Sequence, residues 1–157
     1  MAELQKQLVL DWTRVLLQNK ALSFPSQLKM LCEKLQTEVA HFDWVGFYFA
    51  NHKKKTLHLK AYAGAPTDHN TIPFGKGICG QVAIKNAPLN IPEVQAVDNY
   101  IACNVAVQSE LVVPIIVEGV NVGQIDIDSH TPKAFSPADE RFLKQLCQEV
   151  ALHYIPI

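Results

Sequence analysis

Two runs in the last third of the chain, Leu111–Val117 (L-V-V-P-I-I-V) and Val120–Asp128 (V-N-V-G-Q-I-D-I-D), constrain the fold more than any other feature. Both are rich in β-branched residues, and Glu118-Gly119 between them suits a tight turn, so together they predict an antiparallel hairpin. Along the second run Ile125 and Ile127 alternate with Asp126 and Asp128, which sends the apolar and the acidic side chains to opposite faces. Acids beside buried strand are costly unless they are paired or used. Glu110 joins them only in one register. A two-residue turn sets it opposite Ile127, on the wrong face; one extra residue in the turn, a bulge helped by Gly119, sets it opposite Asp128 and gathers all three acids. The bulged turn is the expected one. Ile101-Ala102-Cys103 leads into the hairpin and adds a thiol, so the stretch reads as a redox-active cysteine among acids that handle a small molecule.

The other elements follow from periodicity. Residues 3–19 carry Leu4, Leu8, Trp12, Val15 and Leu16 at the spacing of an amphipathic helix, with these residues as its apolar stripe. Ser26, just after Pro25, is the expected N-cap of a second helix with Leu28, Leu31, Cys32 and Leu35 on one face. Asp43–Ala50 (D-W-V-G-F-Y-F-A) has a strand composition, and after the polar N-H-K-K-K the segment T-L-H-L-K-A-Y returns as its hairpin partner. Trp44 and Tyr48 project from the same face of that strand, as core aromatics or as the wall of a pocket. Gly64–Gly80 reads as loop, entering a short helix over Ile78–Lys85 that sets Cys79 near a helix N-terminus, where the dipole favours thiolate. A short strand at Leu89–Ile91 and irregular chain over Pro92–Asn99 follow. Ser136-Pro137 with Asp139 starts a last helix bearing Phe142, Leu143, Leu146, Cys147 and Val150. Helix–helix, hairpin, small helical insertion, hairpin, helix is an α+β pattern, an antiparallel sheet flanked by N- and C-terminal helices.

Composition narrows the function classes. The 157 residues suit a single domain over 1–157, in which about 70% of the unfolded chain's surface is buried. A net charge of −1 provides no electrostatic footprint for nucleic acid or an anionic membrane. The N-terminus lacks the apolar core of a signal peptide, and the longest apolar run is too short to span a bilayer. Four cysteines without a secretory signal suggest a reducing, cytoplasmic setting, where thiols are more often catalytic or buried than cross-linked. F-G-K-G-I-C-G lacks the spacing of a phosphate-binding loop. There is no C-x-x-C pair, and none of the six histidines falls at ligand spacing, so no metal site is expected; no histidine lies inside the cysteine–acid stretch, so a cysteine–histidine hydrolase has little support. Cys32 and Cys147 fall on helix faces and read as core. Cys79 and Cys103 lie in loop or element-terminal settings.

Taken together, G75-K-G-I-C-G80, D98-N-Y-I-A-C103, S109-E110 and D126-I-D128-S129 resemble the free methionine-(R)-sulfoxide reductase family, which is built on a GAF domain. The resemblance runs from about Trp44 to the final helix, and D-W-V-G-F-Y resembles the family's aromatic strand. The cysteine spacing (103 − 79 = 24) fits as well. The resemblance implies a single GAF-like domain that reduces free L-methionine-(R)-sulfoxide, with Cys103 as the catalytic cysteine and Cys79 as its redox partner. It implies that Glu110, Asp126 and Asp128 hold the sulfoxide and amino group, and that Trp44 and Tyr48 line the pocket for the methyl end. A thioredoxin-type reductant and a homodimer are implied, and no cofactor. One departure stands out: many members carry a resolving cysteine ten residues before the G-K-G-x-C cysteine, where this chain has His69. Cys79 then resolves the oxidised thiol, or external thiols do, or activity has been lost. A non-enzymatic GAF sensor of small molecules and an inactive paralogue are the alternative readings.

Overall fold

The computed structural model describes residues 2–97 and 106–157. Helices α1 (Ala2–Gln18) and α2 (Phe24–Glu38) come first, then strands β1 (Trp44–Asn51), β2 (Thr56–Ala63) and β3 (Thr71–Pro73). Helix α3 (Gly77–Lys85) and strands β4 (Leu89–Ile91), β5 (Ser109–Val117) and β6 (Val120–Ser129) lead to helix α4 (Pro137–Leu152). The strands form one antiparallel sheet in the order β3-β2-β1-β6-β5-β4. Among the described residues no helix is long and apolar enough to cross a membrane.

The alternation along the central strands decides the layering. Val45, Phe47 and Phe49 of β1, Leu111, Val113 and Ile115 of β5, and Ile125 and Ile127 of β6 share one buried cluster with α1, α2 and α4. The residues between them face the other way, where Trp44, Tyr48 and Val112 pack against Ile78, Cys79 and Val82 of α3. Both faces of the sheet are therefore covered, and an acid on the α3 side is as buried as an isoleucine on the other.

Several elements differ from the sequence reading. Of the expected stripe, Leu4, Leu8 and Val15 point away from the core, at 60%, 54% and 70% exposure, while Leu16 is buried and Trp12 packs against the core; α1 also buries Val9, Leu10 and Leu17. Both sets have helical spacing, and packing against α2 and α4 selects between them. Helix α2 starts three residues earlier than expected: Ser23 is the N-cap and its side chain accepts from the Ser26 N–H at 3.2 Å, with Pro25 in the first turn. The Gly64–Gly80 stretch also contains the three-residue strand β3, paired to the edge of β2. In α4, Ser136 and Asp139 form the full reciprocal cap.

The β5–β6 hairpin carries the expected extra residue, in a different place. Glu118 and Gly119 form a two-residue turn with φ of 50° and 80°, the left-handed pair that matches the twist of a hairpin. Val117 pairs with Val120 and Ile116 with Asn121, but Ile115 pairs with Gly123, so Val122 is the bulged residue. From that point the register places Glu110 opposite Asp128 and Val112 opposite Asp126. The bulge sits inside β6 because the turn itself is already satisfied by its two residues.

Candidate active site

The face beneath α3 collects most of the residues singled out in the sequence. Trp44, Gly46 and Tyr48 of β1 lie opposite Asp128, Asp126 and Gln124 of β6. Glu110 of β5 adds the third acid from the far side of β6. Glu110, Asp126 and Asp128 are 4%, 2% and 1% exposed. Helix α3 lowers Cys79 onto this floor, its Sγ 3.9 Å from Glu110 Oε2. Cys103 lies outside the described residues.

Cys79 departs from the sequence expectation. It is in the first turn of α3, but it is buried as fully as Cys32 and Cys147. Burial pushes its thiol well above the ordinary range, and the charges of Asp126 and Glu110 push it further. Desolvation and the adjacent acids outweigh the helix dipole, so Cys79 is held as a thiol and not as a thiolate. The same forces act on the acids. Burial raises Glu110 well above its ordinary 4.5, with Asp126 and Asp128 adding to it. Burial also raises Asp126, partly offset by hydrogen bonding with Glu110 and Cys79 and by the charge of His69. Both carboxyls are therefore biased towards their protonated forms, next to a sulfur atom.

Two features set the position of Cys79. Gly77 adopts a φ of 64° at the helix start, and a side chain on Gly80 would meet the Pro73 carbonyl at 2.7 Å, so α3 can approach the sheet closely. Gln124, fully buried on β6, donates from Nε2 to the Cys79 carbonyl at 3.0 Å. Gln124 was not foreseen as part of the site. An amide between Gly123 and Ile125 was the available signal, but its partner lies 45 residues away.

The aromatic wall is held from outside the strand. The Trp44 indole N–H donates to the Ala65 carbonyl at 3.0 Å, and its ring stacks on Tyr62 at 5.7 Å. Tyr48 donates its hydroxyl to the His69 carbonyl at 2.8 Å. The Trp44 ring lies across Gly46, where an added Cβ would sit 2.3 Å from the ring carbon Cη2. Gly46→Ala should therefore expel the indole from its stack, with a loss of about 1–3 kcal/mol. Urea denaturation would check this, and an unchanged midpoint would count against it.

Tyr48, His69, Ile72, Ile78, Cys79, Glu110 and Asp126 border a cavity of about 10 Å³, room for one water. Cys79 Sγ and one oxygen each of Glu110 and Asp126 lie within 4.8 Å of one another, near enough to share a cation. The hydrogen bond from Cys79 to Glu110 already brings these groups together, so the geometry alone does not call for a metal. Chemically, the arrangement offers a protonated thiol, acids able to give up a proton, and negative charge for an ammonium group.

A six-stranded antiparallel sheet with α1, α2 and α4 on one face and a small helix over the other is the fold of a GAF domain, and the GAF domain family model matches residues 21–153. The chain is 41% identical over 106 residues to Protein YtsP of Bacillus subtilis, covering 68% of this chain and 64% of that one. It is 33% identical over 128 residues to the free methionine-R-sulfoxide reductase of Escherichia coli, covering 82% of this chain and 76% of that one. The solved type II free methionine-R-sulfoxide reductase of Thermoplasma acidophilum superposes with a TM-score of 0.79 at 38% identity, over 83% of this chain and 91% of that one. The chain belongs to the free methionine-R-sulfoxide reductase family of GAF domain proteins.

Proposed function

We propose that the protein reduces free L-methionine-(R)-sulfoxide to methionine. The observation that carries this reading is the convergence of Glu110, Asp126 and Asp128 on one sheet face, with the Cys79 thiol 3.9 Å from Glu110. The acids receive the sulfoxide oxygen and the ammonium group, and Trp44 and Tyr48 flank the methyl end. Cys103 is the attacking residue. Its thiolate, the sulfoxide and one proton from the acid cluster yield methionine and a Cys103 sulfenic acid. The Cys79 thiol condenses with that sulfenic acid, forming a disulfide and releasing water. A thioredoxin-type dithiol restores both thiols by exchange.

The buried Cys79 suits the second step. A thiol held protonated is a poor first nucleophile, but its proton leaves with the departing hydroxyl as water when it attacks a sulfenic acid. The substrate is far larger than the 10 Å³ cavity, so binding widens it. A homodimer and a reducing, cytoplasmic setting accord with this reading.

Coupling NADPH oxidation through thioredoxin and its reductase tests the proposal. Wild type should turn over L-methionine-(R)-sulfoxide and Cys103→Ser should not. Full activity in Cys103→Ser, or none in wild type, would sink it. In the second case, calorimetry showing ligand binding without turnover would favour the sensor reading.

A further inference from the structure

The proposed reaction consumes a proton among buried side chains. Cys79, Glu110 and Asp126 are 4%, 4% and 2% exposed, and Tyr48, Ile72 and Ile78 complete the wall around them. Among the described residues lining this cavity, His69 is the titratable one that also reaches solvent. Its backbone is pinned on both sides: the carbonyl accepts from Tyr48 at 2.8 Å, and the N–H donates to Thr67 Oγ1 at 3.1 Å. The loop therefore presents this side chain at the cavity edge. On the inner side, Asp126 Oδ1 has no hydrogen-bond partner among the described residues, and the charge of His69 bears on this carboxyl.

We propose that His69 is the proton entry of the site, carrying protons from solvent to the buried Asp126–Glu110 pair. This rests on the reductase reading above. In the first step the sulfoxide S–O bond breaks, the oxygen ends on Cys103 sulfur with one proton, and the acid that supplied the proton is left as a carboxylate. The His69 imidazolium returns a proton to that carboxylate, directly or through a single water in the cavity, and then recovers one from solvent. Imidazole is the side chain whose ordinary titration lies near neutrality, so it both takes and gives a proton there. Asp68, exposed beside it, faces solvent and is not among the residues lining the cavity.

The test is methionine formation in a single turnover, with pre-reduced protein in excess over L-methionine-(R)-sulfoxide and rapid quenching, so that recycling does not limit the rate. His69→Ala and His69→Gln should slow this step roughly 10–100-fold, since neither side chain transfers a proton. The protein concentration that gives half-saturation of this rate should change little. Added imidazole should restore the His69→Ala rate in proportion to its concentration, which a packing defect would not allow. An unchanged rate in His69→Ala, or a loss that imidazole fails to restore, would overturn the proposal while leaving the reductase reading intact. A wild type that forms no methionine would overturn both.

Discussion

Glu110→Gln and Asp126→Asn are each expected to make the protein more stable and far less active. Both carboxyls are buried and raised, so the folded protein binds protons more tightly than the unfolded chain does. The sign follows from linkage. Where the folded state binds more protons than the unfolded one, stability falls as pH rises. The stability tied to these groups is fully present below their ordinary values and is lost as pH climbs through their raised ones. An amide has no such proton to hold. Each variant should therefore gain about 1–2 kcal/mol at pH 7, roughly 2–8 °C in melting temperature for a domain of this size. The gain should shrink towards pH 5 and widen in mild alkali. Activity should drop on the order of 10²–10³-fold, because the amide cannot donate the proton that the sulfoxide oxygen takes. Melting curves of wild type and variants from pH 5 to 9 would check the first claim. A gap that stays constant with pH would mean that the carboxyls are ionised in the fold.

Cys79→Ser should separate the two chemical steps. The first turnover needs only Cys103 and a proton, so pre-reduced Cys79→Ser should still release about one methionine per chain, by the balance of sulfenic acid formation. Continued turnover with thioredoxin should fall on the order of 10²-fold, since a sulfenic acid without a partner thiol offers no disulfide to exchange. A small dithiol such as dithiothreitol should recover much of the rate. Cys32→Ser and Cys147→Ser should leave both steps unchanged, because those thiols are buried in the helix-side core, on the other face of the sheet. Undiminished thioredoxin-driven turnover in Cys79→Ser would show that resolution comes from outside the chain.

Much of this arrangement was legible in the residues because a strand has a period of two. Asp126 and Asp128 had to share a face, as did Trp44 and Tyr48, and the structure sets both pairs beneath α3. The need for one extra residue in the hairpin was legible too, since only that count gathers Glu110 with the others. Its location was not, because a positive φ at Glu118 lets the turn close on two residues and moves the irregularity to Val122. The face of α1 was ambiguous for a related reason: two stripes with helical spacing compete, and only contact with other helices decides. The burial of Cys79 was hidden by its setting. A glycine-rich approach reads as exposed loop, whereas here Gly80 serves to seat the helix against the Pro73 carbonyl. Gln124 was visible only as an oddity, since its partner belongs to a different element.

The most direct measurement uses reduced protein and a single equivalent of L-methionine-(R)-sulfoxide, with no recycling thiol present. After quenching, methionine is quantified and the cysteine peptides are identified by mass. One methionine per chain and a Cys79–Cys103 disulfide, with Cys32 and Cys147 still free, is the predicted result. No methionine, with all four thiols unchanged, would contradict it.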